Sequence, residues 1–177
     1  MTTNDDRRLL LSLAREAIAA HVAGDPAQTP VLTGVLERIG GAFVTIHKHG
    51  ELRGCIGHVE ADTPLGRLIP RMAIAACSSD PRFHGVTARE LPEIDLEISL
   101  LGALELTASP DQIEIGRHGL VVELGWHRGL LLPQVATEWK WDRDTFLAHT
   151  CHKAGLPLDA WLNGANVFRF EAEVFGE

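Results

Sequence analysis

The sequence has few cysteines, and they lie far apart. Cys55, Cys77 and Cys151 are an odd number and include no Cys-x-x-Cys pair, which argues against a disulfide framework and against a zinc knuckle. The chain also lacks the Cys-x-x-x-Cys-x-x-Cys motif that binds the iron–sulfur cluster of a radical enzyme. Reduced, scattered thiols are typical of the cytosol, so we expect a cytoplasmic protein.

Long apolar runs and an excess of positive charge are also absent. No stretch approaches the roughly 18 apolar residues of a membrane helix, and the first residues lack the cationic start of a signal peptide. Sixteen basic residues against 24 acidic ones give a net charge of −8. Because non-specific nucleic-acid affinity depends on clustered Lys and Arg, we expect neither a nucleic acid nor a membrane as partner.

The usual motifs of metal, phosphate and nucleotide sites are missing as well. The nine histidines include no His-x-x-x-His pair that would place two ligands on one helical face beside a carboxylate, and there is no phosphate loop, Ser-His-Asp order or dinucleotide fingerprint. We therefore predict no metal site. The sequence does not indicate a cofactor of any kind, so the cofactor stays unknown at this stage.

What the chain does contain is an ordinary globular composition. Its 177 residues are 45% hydrophobic and 23% charged, enough apolar material for one core without a disulfide or metal to stabilise it. There is no tandem repeat and no break in composition. We predict a single domain spanning residues 1–177.

Hydrophobic periodicity indicates a mixture of helices and strands. An amphipathic helix runs from a Thr3 or Asn4 cap to Gly24, and a second helix opens at Thr63-Pro64, where Pro70 is expected to kink it or divide it in two. Strands joined by short turns must be antiparallel. The prediction is an α+β fold with a mainly antiparallel sheet flanked by helices; the strands that define it are Ala42–Ile46, Glu51–Gly57, Ile94–Leu100 continuing past a bulge at Gly102, Leu120–Leu124, Gly129–Leu132 and Val167–Phe175.

The segment Leu52-Arg53-Gly54-Cys55-Ile56-Gly57 is the strongest candidate for a functional site. On a strand, Arg53 and Cys55 share one face and lie about 6.5 Å apart, so the guanidinium can favour a thiolate. We predict Cys55 and Arg53 as catalytic residues, with Gly54 and Gly57 admitting a ligand. The alternative is that Cys55 is a packed structural thiol and that the glycines mark a bulge or tight packing.

Three further residues are predicted to bind a ligand. Asp80-Pro81-Arg82-Phe83 forms a turn in which Asp80 is the turn or cap former, so Arg82 is the better group to hold an anion. Gln134 and Glu138 are four residues apart at the opening of a helix and can hydrogen-bond a ligand, although most such positions are simply solvated.

Several motifs in order along the chain resemble the AMMECR-one domain family, also called AmmeMemoRadiSam system protein A. They are Phe43-Val44-Thr45-Ile46, the Leu52–Gly57 segment, Asp80-Pro81-Arg82-Phe83, Leu96-Glu97-Ile98-Ser99, His118-Gly119-Leu120, Leu131-Leu132-Pro133-Gln134-Val135-Ala136, Trp139-Lys140-Trp141-Asp142 and Lys153-Ala154-Gly155-Leu156-Pro157. The resemblance covers nearly the whole chain. It implies an α+β domain with a larger sheet-and-helix part, a smaller lobe, and a cleft near the six-residue motif.

The resemblance also implies partners. Family members are associated with a Memo-type protein, similar to class III extradiol dioxygenases, and with a radical SAM protein. We therefore expect an enzyme or enzyme subunit acting with these partners in a modification pathway, its site lying around the Leu52–Gly57 motif. The alternative is a non-catalytic adaptor module whose same surface binds a protein or a small molecule.

Overall fold

The first helix shows how closely the local sequence signals are followed. In the computed structural model, which describes residues 1–177, α1 spans Asn4–Ala23. Thr3 caps its start in a reciprocal pair with Asp6, and Gly24 ends it with a φ of 78°, a left-handed conformation that glycine adopts without steric cost. The predicted N-terminal helix is confirmed.

The chain divides into two compact units. The first unit comprises residues 1–101 and 173–177, and the second, smaller unit comprises residues 102–172. The α+β class and the smaller lobe are therefore confirmed, whereas the assignment of residues 1–177 to a single domain stays a prediction. No helix combines the length and the apolar composition needed to cross a bilayer.

The first unit is an antiparallel sheet covered by two helices. β1 (Ala42–Lys48) pairs with β2 (Glu51–His58) on one side and with β3 (Ile94–Leu101) on the other, and residues 173–176 of the last strand lie beside β3. Helices α1 and α2 pack on this sheet. Alternate strand residues fill the core between the layers, among them Val44, Ile46, Leu96 and Ile98, which are fully or almost fully buried.

Helix α2 differs from the sequence expectation. It runs without interruption over Leu65–Ser78, with Pro64 at the capping position and Pro70 inside it. The predicted division into two short helices is therefore wrong, whereas the alternative, a kink at Pro70, stays a prediction. An interior proline costs about 3 kcal/mol, but Leu65, Leu68 and Ile69 are buried on this helix, and each contributes roughly 1.5–3 kcal/mol. The free energy gained by burying these side chains is therefore larger than the cost of the backbone hydrogen bond that Pro70 cannot make.

The second unit is a smaller antiparallel sheet with two helices of its own. β7 (Asn166–Gly176) lies between the short β4 (Glu105–Leu106) and β5 (His118–Leu124), and β5 pairs with β6 (His127–Leu131). Strand β3 stops at Leu101, so the predicted continuation past Gly102 is wrong, and β4 pairs with β7 instead. The helices are α3 (Pro133–Glu138) and α4 (Arg143–Lys153).

The core of the second unit forms around two fully buried side chains. Leu120 of β5 packs with Phe146 of α4, and Trp141 and Trp161 close the cluster. Short 3₁₀ helices complete both units at Gly34–Glu37, Ala88–Glu93, Pro110–Gln112 and Ala160–Leu162.

The packing of α2 on β2 makes a test of the fold. A Cβ on Gly54 would lie 2.2 Å from the carbonyl oxygen of Ala76, so Gly54→Ala forces backbone apart. We expect it to lower the free energy of unfolding by about 3 kcal/mol, measured by urea denaturation. Gly40→Ala is the matched control, because a Cβ there meets nothing nearer than 3.9 Å. Equal stability of the two variants would contradict this packing.

Candidate ligand-binding site around Cys55

The predicted motif lies on β2, the edge strand of the first unit. Gly54 faces Ala76 of α2, and Ile56 packs against the core. Cys55 and Gly57 pair with Thr45 and Phe43 of β1 and lie on the opposite face. Leu52, at the start of the motif, is 41% exposed, because the register between β1 and β2 shifts beside it.

Cys55 belongs to a row of polar side chains across the sheet. Thr45 pairs with Cys55 on one side and with Glu97 of β3 on the other. The Thr45 hydroxyl donates a hydrogen bond to the Cys55 sulfur over 3.3 Å. Sequence analysis missed Thr45 and Glu97 as site residues. The alternation of β1 and β3 contains the signal, but only the strand register shows that these positions are neighbours.

The next row is built around an aromatic ring. Phe43 pairs with Gly57 on β2 and with Ser99 on β3. A Cβ on Gly57 would lie 2.2 Å from the Phe43 ring, so the glycine makes room for the ring rather than for a ligand. Ser99 is 1% exposed, and its hydroxyl has no hydrogen-bond partner.

The Cys55 thiol is not activated by its surroundings. Its partial burial raises its pKa above the ordinary value, and the charges of Asp80 and Glu97 act in the same direction. The Thr45 hydrogen bond and the charge of Arg82 oppose this rise but do not overcome it. The thiol is therefore protonated at neutral pH, which corrects the expectation of a thiolate stabilised by a neighbouring arginine.

Arg53 binds the segment between α2 and β3 and does not act on Cys55. Its guanidinium donates to both carboxylate oxygens of Glu90, to the carbonyl of His84 over 2.8 Å and to that of Gly85 over 3.2 Å. These bonds use all three of its nitrogens. Arg53 chiefly, with Thr87 and Lys48, lowers the pKa of Glu90 to about 2. The register shift leaves Arg53 without a partner residue on β1.

The cation that acts on Cys55 is Arg82, and Asp80 holds it in place. The buried Asp80 carboxylate accepts the Cys55 backbone N–H over 2.9 Å, the Arg82 backbone N–H over 3.1 Å, and two guanidinium bonds from Arg82. These bonds, the guanidinium first, hold the pKa of Asp80 well below its usual range. We call this arrangement the Asp80 clamp: Asp80, Arg82 and the Cys55 N–H.

A shallow cavity opens beside the clamp. It has a volume of about 420 Å³ and is lined by Arg53, Pro81, Arg82, Phe83 and His84. The Arg82 guanidinium lies 5.4 Å from the centre of the Phe83 ring. Its Nε and one Nη bind Asp80, so the other Nη is free for a ligand. The Arg82 side chain is 53% exposed.

The remaining predicted ligand residues belong to the second unit. Gln134 and Glu138 lie on α3, whereas Arg53, Gly54, Cys55, Gly57 and Arg82 lie together in the first unit. The side-chain amide oxygen of Gln134, Oε1, is buried without a hydrogen-bond partner, and Glu138 is exposed. No group of three or more His, Cys, Asp or Glu side chains is arranged to hold a metal ion.

Comparison with known proteins agrees with this architecture. The family model for AMMECR1, the AMMECR-one family of the sequence analysis, matches residues 11–175. The chain belongs to the AMMECR1 family. It is 44% identical to a protein of Methanothermobacter thermautotrophicus over 99% of this chain and 96% of that one, and 45% identical to a protein of Methanococcoides burtonii over 93% and 86%.

A solved structure has the same fold. The crystal structure of the uncharacterised protein PH0010 from Pyrococcus horikoshii matches with a TM-score of 0.93 and 39% identity, covering 99% of this chain and 93% of that one. The AMMECR1 family and its fold are thereby shown for this chain. The roles of individual side chains follow from the geometry above and are proposals.

The Asp80 clamp predicts a pH-dependent contribution to stability. The folded-state pKa of Asp80 is depressed, so its stabilisation is complete above the unfolded value of about 4 and is lost as the pH falls below it. We expect Asp80→Asn to cost about 2 kcal/mol at pH 7, and this difference from the unmodified protein to shrink by about 1 kcal/mol at pH 3. Urea denaturation at both pH values measures it. Asp25→Asn, at an exposed position, is the control, and an unchanged difference at pH 3 would contradict the clamp.

The thiol environment predicts slow alkylation. Because burial raises the pKa of Cys55, the pH profile of its iodoacetamide labelling should have a midpoint above the value of about 8.5 for an unfolded cysteine. Thr45→Val removes the hydrogen bond to sulfur and should move the midpoint higher still. Mass spectrometry of the Cys55 peptide gives the rates, and labelling in urea provides the reference. A midpoint at or below the reference would show that the thiol is activated.

Proposed function

We propose that this AMMECR1 protein is a component of an enzyme-catalysed modification pathway that acts with Memo-type and radical SAM partners. Its part is to bind a small ligand beside Cys55 and Arg82. The observation that supports this proposal is the Asp80 clamp, in which one buried carboxylate holds both the backbone of Cys55 and the guanidinium of Arg82. Such rigid placement of a thiol and a cation is what a binding or reaction site requires.

The free nitrogen of Arg82 points to the chemistry of the ligand. Two guanidinium nitrogens bind Asp80, and the third can donate to an oxygen of a carboxylate, phosphate or carbonyl group. Phe83 supplies an apolar surface beneath the guanidinium. We therefore propose a ligand that carries an acceptor oxygen next to a flat or apolar part.

Within this site Cys55 keeps the catalytic role predicted for it, but as a neutral thiol. A protonated thiol is a weak hydrogen-bond donor and a slow nucleophile, so nucleophilic attack requires the ligand or a partner protein to remove its proton. Arg53 is proposed as a positioning residue, because its guanidinium fixes the carbonyls of His84 and Gly85 at the rim of the cavity. Gly54 and Gly57 contribute by allowing α2 and Phe43 to approach β2.

A non-catalytic adaptor is the second candidate. It is favoured by one observation: Arg53 is fully engaged with Glu90 and two backbone carbonyls, and the Cys55 pKa is raised rather than lowered. A surface with no activated group suits recognition better than chemistry. In this case the same cavity binds a partner or a small molecule without altering it.

Reconstitution with the two partner proteins separates these candidates. The protein, a Memo-type protein and a radical SAM protein are incubated with the small-molecule fraction of a cell extract, and products are compared by mass spectrometry. For a catalytic site we expect Cys55→Ala and Arg82→Gln each to remove the products that depend on this protein. If Arg82→Gln removes these products and Cys55→Ala does not, the protein is a binding module.

Arg89→Gln is the matched control for Arg82→Gln. Arg89 is exposed on the 3₁₀ turn that follows the same loop, so its loss should leave product formation unchanged. Circular dichroism and thermal unfolding establish that each variant is folded. If folded Cys55→Ala and Arg82→Gln proteins both form products at the unmodified rate, this site is not the functional one.

A further inference from the structure

A second cavity lies in the second unit and is lined by none of the residues predicted to form a site. It has a volume of about 810 Å³, within the range of small-molecule sites. Its walls come from β4 and the residues just before it, the segment between β4 and β5, the start of β5, β7 and the first residue of α4. Neither Gln134 nor Glu138 lines it.

A buried histidine lines this cavity with one nitrogen unused. His118 is 7% exposed, and its Nδ1 accepts the backbone N–H of Glu114 over 3.0 Å. Burial chiefly, and then the charges of Arg169 and Arg117, lower the pKa of His118, so the ring is neutral at pH 7. Because Nδ1 is the acceptor, the proton is on Nε2, and this N–H has no partner in the protein.

The arginines of the cavity are already engaged. All three guanidinium nitrogens of Arg117 bind Glu171 and Glu114, and all three of Arg169 bind Glu105 and the Gln112 carbonyl. Arg143 uses two nitrogens, for the Ile113 carbonyl and for Asp111. One Arg143 nitrogen therefore remains available, along with the His118 N–H.

The carboxylates keep more free capacity than the arginines. Glu105, Asp111, Glu114 and Glu171 each bind arginine through one oxygen only, which leaves four oxygens able to accept. Four carboxylates against three guanidinium groups also give the lining an excess negative charge. The unused groups thus favour a ligand with several cationic N–H donors and one acceptor.

We propose that this cavity binds a basic amino acid, a small molecule that carries a side-chain cation in addition to its α-ammonium group and a carboxylate as the acceptor. The cationic group binds the free oxygens of the carboxylates. The acceptor group binds the His118 Nε2–H and the free nitrogen of Arg143. This site is independent of the one around Cys55, and neither proposal depends on the other.

Three matched probes test the two ends of the ligand. L-Lysine has both groups, L-norleucine lacks the side-chain ammonium group, and 1,5-diaminopentane lacks the carboxylate. Calorimetric titration of the full chain should show L-lysine binding about tenfold more tightly than either of the others. NMR of the labelled imidazole should show a shift of the His118 Nε2 signal on addition of L-lysine. No shift with millimolar L-lysine, or equal binding of the three probes, overturns the proposal.

Variants of the lining residues locate the binding. His118→Asn keeps an acceptor for the Glu114 N–H but removes the Nε2 donor, and Glu171→Gln removes one carboxylate. Each should weaken L-lysine binding about tenfold. Asp144→Asn, on α4 but outside the lining, is the charge-matched control and should bind as the unmodified protein does. Unchanged binding by a folded Glu171→Gln protein would place L-lysine elsewhere and overturn the assignment of the cavity, even if His118→Asn does not fold.

Discussion

The hydrogen bonds accepted by the Asp80 carboxylate are the constraint on which the candidate site depends. A buried carboxylate is costly unless its oxygens are satisfied, and here four donors satisfy them: the N–H groups of Cys55 and Arg82 and two guanidinium nitrogens. The bond to Cys55 ties the edge strand β2 to the turn that follows α2. The bonds to Arg82 hold a half-exposed cation beside the thiol. Without this carboxylate, β2 would still be linked to the loop after α2 by Arg53, which binds the carbonyls of His84 and Gly85, but Arg82 would no longer be held beside the thiol.

Arginine–carboxylate pairing recurs in both units and decides what each surface can bind. In the first unit Arg53 is neutralised by Glu90, and in the second unit Arg117 and Arg169 are neutralised by acidic neighbours. A chain with 24 acidic and 16 basic residues has a carboxylate within reach of most guanidinium groups. Most of the guanidinium groups are therefore paired with a carboxylate and are not free cations. What is available to a ligand is the unused nitrogen or oxygen of a pair, as at Arg82 and at Glu171.

Much of the fold could be predicted because its signals are local. The Thr3 cap, the Gly24 stop and the alternation of Ile94–Leu100 each act within a few residues, and periodicity describes such effects well. The predictions of secondary structure were wrong where contacts between residues far apart in the sequence outweighed the local signals. Pro70 stays inside α2 because that helix is buried, and the chain after Leu101 pairs with β7, far away in sequence. The site was predicted in outline only. The sequence does not show which carboxylate each arginine binds, and in the structure Arg53 binds Glu90 whereas Arg82 binds Asp80.

The sequence by itself determined the α+β class, the family and the strand that carries Cys55, because composition, periodicity and ordered motifs are properties of the chain. Only the tertiary structure decided which groups act on the thiol. Thr45, Asp80 and Glu97 reach Cys55 through strand register and a long-range hydrogen bond. The balance of burial and charge that raises the Cys55 pKa depends on distances of a few ångströms. Such distances are set by packing between segments, which no local pattern specifies.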